Sequence, residues 1–164
     1  MAIQRTGHVA IRVRDLDATR AFYRDVVGMK VAHEAPGRGV FFRFDGYHHD
    51  LVAFRADTCT EPASARHAGV AHIAFVADDF ATLRAFHRRV SAHGLAVRCT
   101  DHGFTKSIYF SDPDGIEIEI YVEVPEFDYL AEGLYIREPF DIESPDAAVP
   151  LLKPSQAATP GQPR

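Results

Sequence analysis

The chain of 164 residues contains an internal repeat, and this repeat restricts the fold more than any other feature of the sequence. A shift of 64 positions, made without a gap, lays "HIAFVADDFATLRAF" (72–86) on "HVAIRVRDLDATRAF" (8–22). Each copy opens with alternating apolar residues and continues with a helical apolar stripe behind an aspartate cap. The repeat therefore predicts that two similar modules begin with a strand and a helix.

Three further strands follow in each copy, so each half is predicted to be a βαβββ module. We expect an α+β fold in which two tandem modules form one curved, partly closed mixed sheet around a cavity. The modules are placed at 6–56 and 69–123 of a single domain that runs to residue 143. An extension (124–143) completes this domain, and a Pro/Ala-rich tail (144–164) follows it. The predicted elements of the first half are strand Gly7–Val13, a helix from Asp15 or Asp17 to Gly28, and strands Lys30–Glu34, Gly39–Asp45 and His49–Arg55; later strands are Leu95–Thr100, Ser107–Ser111 and Ile116–Val122.

The last two predicted strands form a hairpin within "HGFTKSIYFSDPDGIEIE" (102–119). Its turn is Asp112-Pro113-Asp114-Gly115, in which proline fixes one backbone angle and glycine accepts a positive one. Glu117 and Glu119 alternate with isoleucines, which places both carboxylates on the same face of the second strand. One face of this hairpin is therefore acidic.

His8 and His72 occupy the same position in the two copies. A lone strand histidine is seldom a ligand, but matched histidines related by a pseudo-twofold axis can form a metal clamp. Two imidazoles and one carboxylate suit a divalent first-row metal and leave coordination positions open. Spacing alone does not decide whether Glu117 or Glu119 completes the set.

Composition excludes several partners. With 18 basic and 23 acidic residues the formal net charge is −5, so the chain has no basic excess that would attract a nucleic acid backbone. No apolar run is long enough to span a membrane. The N-terminal residues lack a signal core, and only Cys59 and Cys99 could be oxidised. We therefore expect a cytoplasmic protein in which both thiols are buried.

The hairpin segment resembles the type I extradiol ring-cleavage dioxygenases of the vicinal-oxygen-chelate superfamily. The signature of this family consists of a histidine, an apolar residue with tyrosine, an Asp-Pro-x-Gly turn and a glutamate. The two-module pattern of the superfamily covers roughly residues 6 to 123 of this chain. The residues that meet the signature are His102, Ile108, Tyr109, Asp112, Pro113, Gly115 and Glu119.

The resemblance implies a compact Fe(II) dioxygenase, with Mn(II) as an alternative metal, that acts on a catechol-type substrate and O2. Its metal ligands would be His8, His72 and Glu119. His102 and Tyr109 would hydrogen-bond the substrate and reaction intermediates. The resemblance also implies packing as a homodimer or higher homo-oligomer.

His49 is similar to the acid/base histidine of the family. It precedes His72 by 23 positions, more than expected for the family, so His48 remains a rival. Alternation puts His49 on the face of Leu51 and Ala53, and His48 on the opposite face. Two other functions stay open on the same fold: a glyoxalase- or epimerase-like metalloenzyme, and a metal-free small-molecule binding protein of the drug-resistance type. The first would need a carboxylate on the last strand of the first half, where no glutamate occurs.

Overall fold

The computed structural model describes residues 5–58, 69–124 and 137–144. The chain divides into two compact units, one formed by Met1–Ala71 with Ser111–Ile116 and the other by His72–Phe110 with Glu117–Arg164. Within the described ranges, no helix has both the length and the apolar character required to cross a bilayer.

Among its described residues, the first unit has one α-helix and a four-stranded sheet in the order β1-β4-β3-β2, in which β1 and β4 are parallel. The other neighbouring strands are antiparallel. A π-helical segment, Phe22–Val27, follows α1 directly. The elements are β1 (Val9–Val13), α1 (Leu16–Ala21), β2 (Lys30–Ala35), β3 (Gly39–Arg43) and β4 (Leu51–Arg55).

The helical segment begins and ends where the sequence predicts. The Asp15 carboxylate accepts hydrogen bonds from the first free backbone N–H groups of α1, and Gly28 ends the segment with a φ of 86°. The π-helical widening was not predicted, because the apolar stripe alone does not distinguish it from an α-helix. The core of this unit includes Val13, Phe22, Tyr23, Val26, Val27, Val40, Phe42, Leu51 and Ala53.

The second unit contains a longer helix and a five-stranded sheet in the order β5-β8-β7-β6-β9. The two edge strands of this sheet are β5 and β9. β5 pairs with β8 in parallel, and β9 comes from the C-terminal extension and pairs with β6. Its elements are β5 (His72–Val76), α2 (Phe80–Ala92), β6 (Arg98–Asp101), β7 (Thr105–Ser111), β8 (Glu117–Glu123) and β9 (Glu138–Pro139).

The two units repeat one topology, which confirms the α+β class and the duplicated pattern. The helices start behind Asp15 and Asp79, the same 64-position offset seen in the sequence. The order β1-β4-β3-β2 matches β5-β8-β7-β6, and the strand that opens each copy pairs in parallel with the strand that closes it. The described strands form two open sheets, whereas the sequence was interpreted as one curved sheet.

Several strand boundaries differ from the predictions, chiefly around residues 44–50. The Asp50 carboxylate accepts a hydrogen bond from the backbone N–H of Phe44, and Gly46 has a φ of 91°. This closed loop ends β3 at Arg43 and delays β4 to Leu51, so predicting a strand from His49 was wrong. Likewise β1 starts at Val9, β6 at Arg98 and β7 at Thr105.

The described part of the C-terminal extension packs on the second unit. β9 pairs with β6, Ile142 is only 2% exposed, and its carbonyl accepts a hydrogen bond from Arg84. Arg88 forms two hydrogen bonds to the Glu143 carboxylate. Residues 125–136 of the predicted extension, residues 145–164 of the predicted tail, and Cys59 lie outside the described residues.

Candidate metal centre

His72 and Glu119 form a close pair in the second unit. His72 is the first residue of β5, and the register of β5 with β8 aligns it with Glu117 and aligns Ala74 with Glu119. In parallel strands aligned residues project to one side, so His72 and Glu119 lie on the same face of the sheet. The Nε2 atom of His72 is 3.0 Å from Oε2 of Glu119. The histidine is partly exposed, with 38% of its side chain accessible, while the carboxylate is nearly buried.

A tyrosine holds the other oxygen of this carboxylate. The hydroxyl of Tyr109 donates a hydrogen bond to Oε1 of Glu119 at 2.7 Å and lies 2.9 Å from Nε2 of His102. Because a phenol has one hydrogen to donate, His102 must carry its proton on Nε2 and donate to the tyrosine oxygen. Burial, followed by the bond to Glu119, raises the pKa of Tyr109, so its hydroxyl remains a donor at neutral pH. His102, Tyr109 and Glu119 are each less than 10% exposed as whole residues.

Arg98 supports this tyrosine from the neighbouring strand. It pairs with Tyr109 in the register of β6 and β7, and its guanidinium carbon lies 4.2 Å from the centre of the tyrosine ring. It also donates hydrogen bonds to Glu117 and Thr100. Sequence reasoning missed Arg98, because its contact with Tyr109 depends on the register between β6 and β7, which alternation within one strand does not encode. Glu117 thus forms an ion pair with arginine, whereas Glu119 faces His72.

In the first unit, three histidines lie close together. The ring centres of His8 and His49 are 4.5 Å apart, and Nδ1 of His49 is 2.6 Å from Nδ1 of His48. His49 also contacts the edge of Phe41, while His48 is exposed against Tyr47. Loss of hydration, followed by the positive charges of His48 and His8, lowers the pKa of His49. Of the two rivals, His49 is the one in contact with His8.

The placement of His49 corrects the argument from alternation. Leu51 and Ala53 are at most 1% exposed and belong to the core, so a regular strand would bury His49 beside them. Because β4 begins only at Leu51, His49 lies outside the strand and does not follow its alternation. Its imidazole instead contacts His8. The irregular loop at 44–50 is therefore what brings these two imidazoles together.

The separation of the His72 and Glu119 donor atoms fits a shared divalent metal. Such a metal lies roughly 2.0–2.2 Å from an imidazole nitrogen or a carboxylate oxygen, so two ligands near a right angle are about 3 Å apart. The observed distance is 3.0 Å. Across residues 5–58, 69–124 and 137–144, no three His, Cys, Asp or Glu side chains form a ready-made metal cluster. The complete ligand set with His8 stays a prediction.

The repeat also identifies the counterpart of Glu119 in the first unit. Ala74 aligns with Glu119, and Ala10, which matches Ala74 in the repeat, aligns with Val52. Val52 is 2% exposed and apolar. The last strand of the first unit therefore has no carboxylate at the position where the second unit has one.

A family profile described as "Glyoxalase/Bleomycin resistance protein/Dioxygenase superfamily" matches residues 5–120. Biphenyl-2,3-diol 1,2-dioxygenase 2 of Rhodococcus globerulus is 29% identical over 123 residues, which cover 74% of this chain and 64% of that protein. Catechol-2,3-dioxygenase of Bacillus subtilis is 27% identical over 132 residues, which cover 79% of this chain and 46% of that protein. The chain thus spans about two thirds or less of these curated relatives.

Solved structures share the fold. The lactoylglutathione lyase of Agrobacterium tumefaciens has a TM-score of 0.58 and 29% sequence identity, and the similarity covers 74% of this chain and 96% of that one. This neighbour and the dioxygenases carry different activities on related folds, so the fold alone does not select a reaction.

Proposed function

Because the chain belongs to the glyoxalase/bleomycin resistance protein/dioxygenase superfamily, we propose that it is an extradiol dioxygenase that cleaves a catechol-type substrate with O2. Its relatives with dioxygenase names support this reaction class. A cytoplasmic location, a homodimer and iron as the metal are parts of the proposal.

The observation that carries the proposal is the hydrogen-bonded row from His102 through Tyr109 to Glu119 and His72. A carboxylate buried beside an imidazole is costly unless it is paired, and here a tyrosine fixes one of its oxygens. The other oxygen faces His72 at a separation suited to metal binding. We assign His72 and Glu119 as ligands and His8, the duplicate of His72, as the third.

His8, His72 and Glu119 would hold an Fe(II) ion, which would supply the Lewis acidity and redox chemistry for a reaction between a diol and O2. Tyr109 orients the Glu119 carboxylate and prevents it from rotating away from His72. The Nε2–H group of His102 donates a hydrogen bond to the tyrosine oxygen and so keeps the phenol hydrogen directed at Glu119. His49, in contact with His8 and partly exposed, is placed in the proposal as the group that donates or accepts a proton beside the substrate.

A glyoxalase-type metalloenzyme is the second candidate, favoured by the likeness to lactoylglutathione lyase. Such a site would take a further carboxylate from the last strand of the first half. Val52 occupies the repeat-equivalent position of Glu119, and its apolar side chain cannot bind a metal. This difference supports the dioxygenase over the glyoxalase-like enzyme. For the metal-free binding protein, the buried carboxylate beside His72 would have no purpose.

The test measures O2 uptake by anaerobically Fe(II)-loaded protein over a panel of substituted catechols. The expected result is stoichiometric O2 consumption with a yellow ring-fission product. Glu119→Gln should lose bound iron and activity, because an amide is a much poorer ligand than a carboxylate. Glu117→Gln is the matched control, since that residue lies on the same strand but pairs with Arg98.

Full iron occupancy in Glu119→Gln would show that the ligand set is wrong. Absence of O2 uptake across the panel by iron-loaded wild-type protein would refute the dioxygenase itself. Conversion of a glutathione hemithioacetal by the same protein would favour the second candidate instead.

A further inference from the structure

A second polar feature of the first unit lies at the other end of β1 from His8. It is a groove with a volume of about 500 Å³. Three of the side chains around it are arginines and one is an aspartate, so the groove carries an excess of positive charge. Its lining residues are Arg12, Gly37, Arg38, Phe54, Arg55 and Asp57.

The arginines of this groove, like several other arginines among the described residues, form no ion pairs. No salt bridge involves Arg12, Arg38 or Arg55 within the described residues, and the Asp15 carboxylate that attracts Arg55 is already bonded to α1. Guanidinium groups that line one groove repel one another, and an anion relieves that repulsion. By contrast, ion pairs form at Arg14, Arg20, Arg24, Arg84, Arg88 and Arg98.

The backbone holds the groove in shape. The turn before β3 is closed by a hydrogen bond from Arg38 N–H to the Ala35 carbonyl, and Arg55 N–H donates to the Arg38 carbonyl. Gly39 has no room for a side chain, because an added Cβ would lie 2.8 Å from the Ala53 carbonyl oxygen and 2.9 Å from the Phe54 ring. The Phe54 ring therefore rests on the backbone of β3 with 39% of the residue exposed.

A row of rings connects this groove to the proposed metal ligand. The ring centres of His8 and His49 are 4.5 Å apart, those of His49 and Phe41 are 5.4 Å apart, and those of Phe41 and Phe54 are 6.0 Å apart. Phe54 lines the groove. His8 and Arg12 also share a face of the opening strand, four residues or roughly 13 Å apart. Phe41 meets both His49 and Phe54 edge to face, so the row offers an aromatic surface of alternating ring faces and edges, with an imidazole at one end and guanidinium groups at the other.

We propose that the arginine groove binds the carboxylate of an acidic side chain on the aromatic diol, so that the substrate is a carboxylated catechol. This inference rests on the proposed dioxygenase function. The planar guanidinium fork matches the two oxygens of a carboxylate, and the aromatic row accepts the ring and its side chain. The anion fixes which end of the substrate faces His8.

The first experiment measures binding without catalysis. The metal-free full chain is titrated with 3-phenylpropanoate, which has no hydroxyl groups to chelate iron, with its neutral amide, and with inorganic phosphate. We expect the carboxylate to bind about 10-fold or more tightly than the amide, a difference in the range of charged hydrogen bonds. Arg12→Gln and Arg38→Gln should abolish that preference, and Arg12→Lys should retain part of it. Arg24→Gln is the control, because it pairs with Asp25 on the surface.

The second experiment compares kcat and KM of the iron-loaded enzyme for a catechol with a propanoate side chain and for its methyl ester. The wild type should show a KM about 10-fold lower for the acid. Arg12→Gln should remove this difference, and the surface control Arg24→Gln should keep it. Circular dichroism of each variant establishes that it is folded.

The outcomes separate the two proposals. Equal KM values for acid and ester, with normal O2 uptake, would overturn the carboxylate site and leave the dioxygenase standing. Arginine-dependent binding of 3-phenylpropanoate without O2 uptake would support the groove and refute the dioxygenase. Phosphate binding as tightly as the carboxylate, with the same arginine dependence, would identify a general anion site and overturn the substrate assignment.

Discussion

The Tyr109 hydroxyl has one hydrogen, and it donates this hydrogen in a hydrogen bond to Glu119. The oxygen of the same hydroxyl accepts from His102, so the phenol is satisfied on both sides. The resemblance implied that Tyr109 and His102 bond the substrate. Their hydrogen bonds within the chain instead reach each other and the proposed metal-binding carboxylate. We interpret Tyr109 as a positioning residue for Glu119.

Tyr109→Phe should weaken metal binding while preserving the fold. The change leaves a buried carboxylate oxygen and a buried imidazole N–H without their partner, so the carboxylate is free to rotate. Loss of a hydrogen bond to a metal ligand typically lowers metal affinity about 10- to 100-fold. Competition with a chromophoric chelator measures this affinity. As a control, Tyr121→Phe removes a hydroxyl from the neighbouring strand and should leave the metal affinity unchanged. An equal loss of metal affinity in both variants would contradict the positioning role of Tyr109.

The two neighbouring histidines give a second prediction at this scale. His49→Phe should keep bound metal but lower kcat about 100-fold, because general acid or base groups contribute roughly that much or more. His48→Phe should change kcat little, since His48 is exposed, whereas its neighbour His49 contacts His8. Steady-state O2 uptake with iron quantified in each sample distinguishes them. A slower His48 variant beside an unaffected His49 variant would reverse the assignment.

At the scale of elements, the hairpin turn contributes to the core of the first unit. The Asp112 carboxylate accepts from the backbone N–H groups of Asp114 and Ile116 with one oxygen and from the buried Tyr23 hydroxyl with the other. Burial raises the pKa of Asp112, although these hydrogen bonds oppose the shift. The Asp-Pro-x-Gly turn therefore contributes hydrogen bonds to the core of the first unit, in addition to connecting β7 and β8.

Tyr23→Phe should destabilise the protein by about 1.5–3 kcal/mol at neutral pH, the range for a hydrogen bond to a charged group. A carboxyl whose pKa is raised by folding favours the folded state at low pH and opposes it as the pH rises through the folded pKa. Loss of the Tyr23 hydroxyl raises the pKa of Asp112 further. The destabilisation should therefore be smaller at pH 4 than at pH 7, as urea unfolding at both values would measure. A cost independent of pH would contradict the pairing with a charged Asp112.

The sequence predicted element types better than element ends. Periodicity and capping located both helices, because Asp15 and Asp79 supply acceptors that the helix N-terminus requires. The loop at 44–50 was missed because its closure depends on the Asp50 carboxylate reaching Phe44, a contact that alternation does not encode. The π-helical segment was missed for a similar reason, since its apolar residues fit either helix.

For the whole molecule, the C-terminal extension supplies the last strand of the second sheet. A chain ending at Val124 should be less stable than one ending at Ser144, which retains β9. The shorter chain exposes the β6 edge and lacks Ile142, whose burial alone contributes about 1.5–3 kcal/mol. Thermal unfolding of the two truncated proteins measures the difference. Identical melting temperatures would show that the extension does not stabilise the sheet.

The candidate site was predictable to the extent that its signals are local. His72, Glu119, Tyr109 and His102 lie in one repeat or one motif, and the structure joins them through hydrogen bonds or a close polar contact. The contribution of Arg98 and the contact of His49 with His8 depend on cross-strand register and on an irregular loop. Neither is visible in the spacing of single residues.

Val52 gives the repeat an electrostatic asymmetry. Had both copies kept an acid at the position of Glu119, a divalent cation held by the pair would be fully neutralised. With valine in the first copy, the proposed ligand set would leave one unit of positive charge uncompensated. In the proposed dioxygenase, such a centre would stabilise the deprotonated form of a coordinated diol, so an apolar residue at this position would give the protein a surplus charge with which to acidify its substrate.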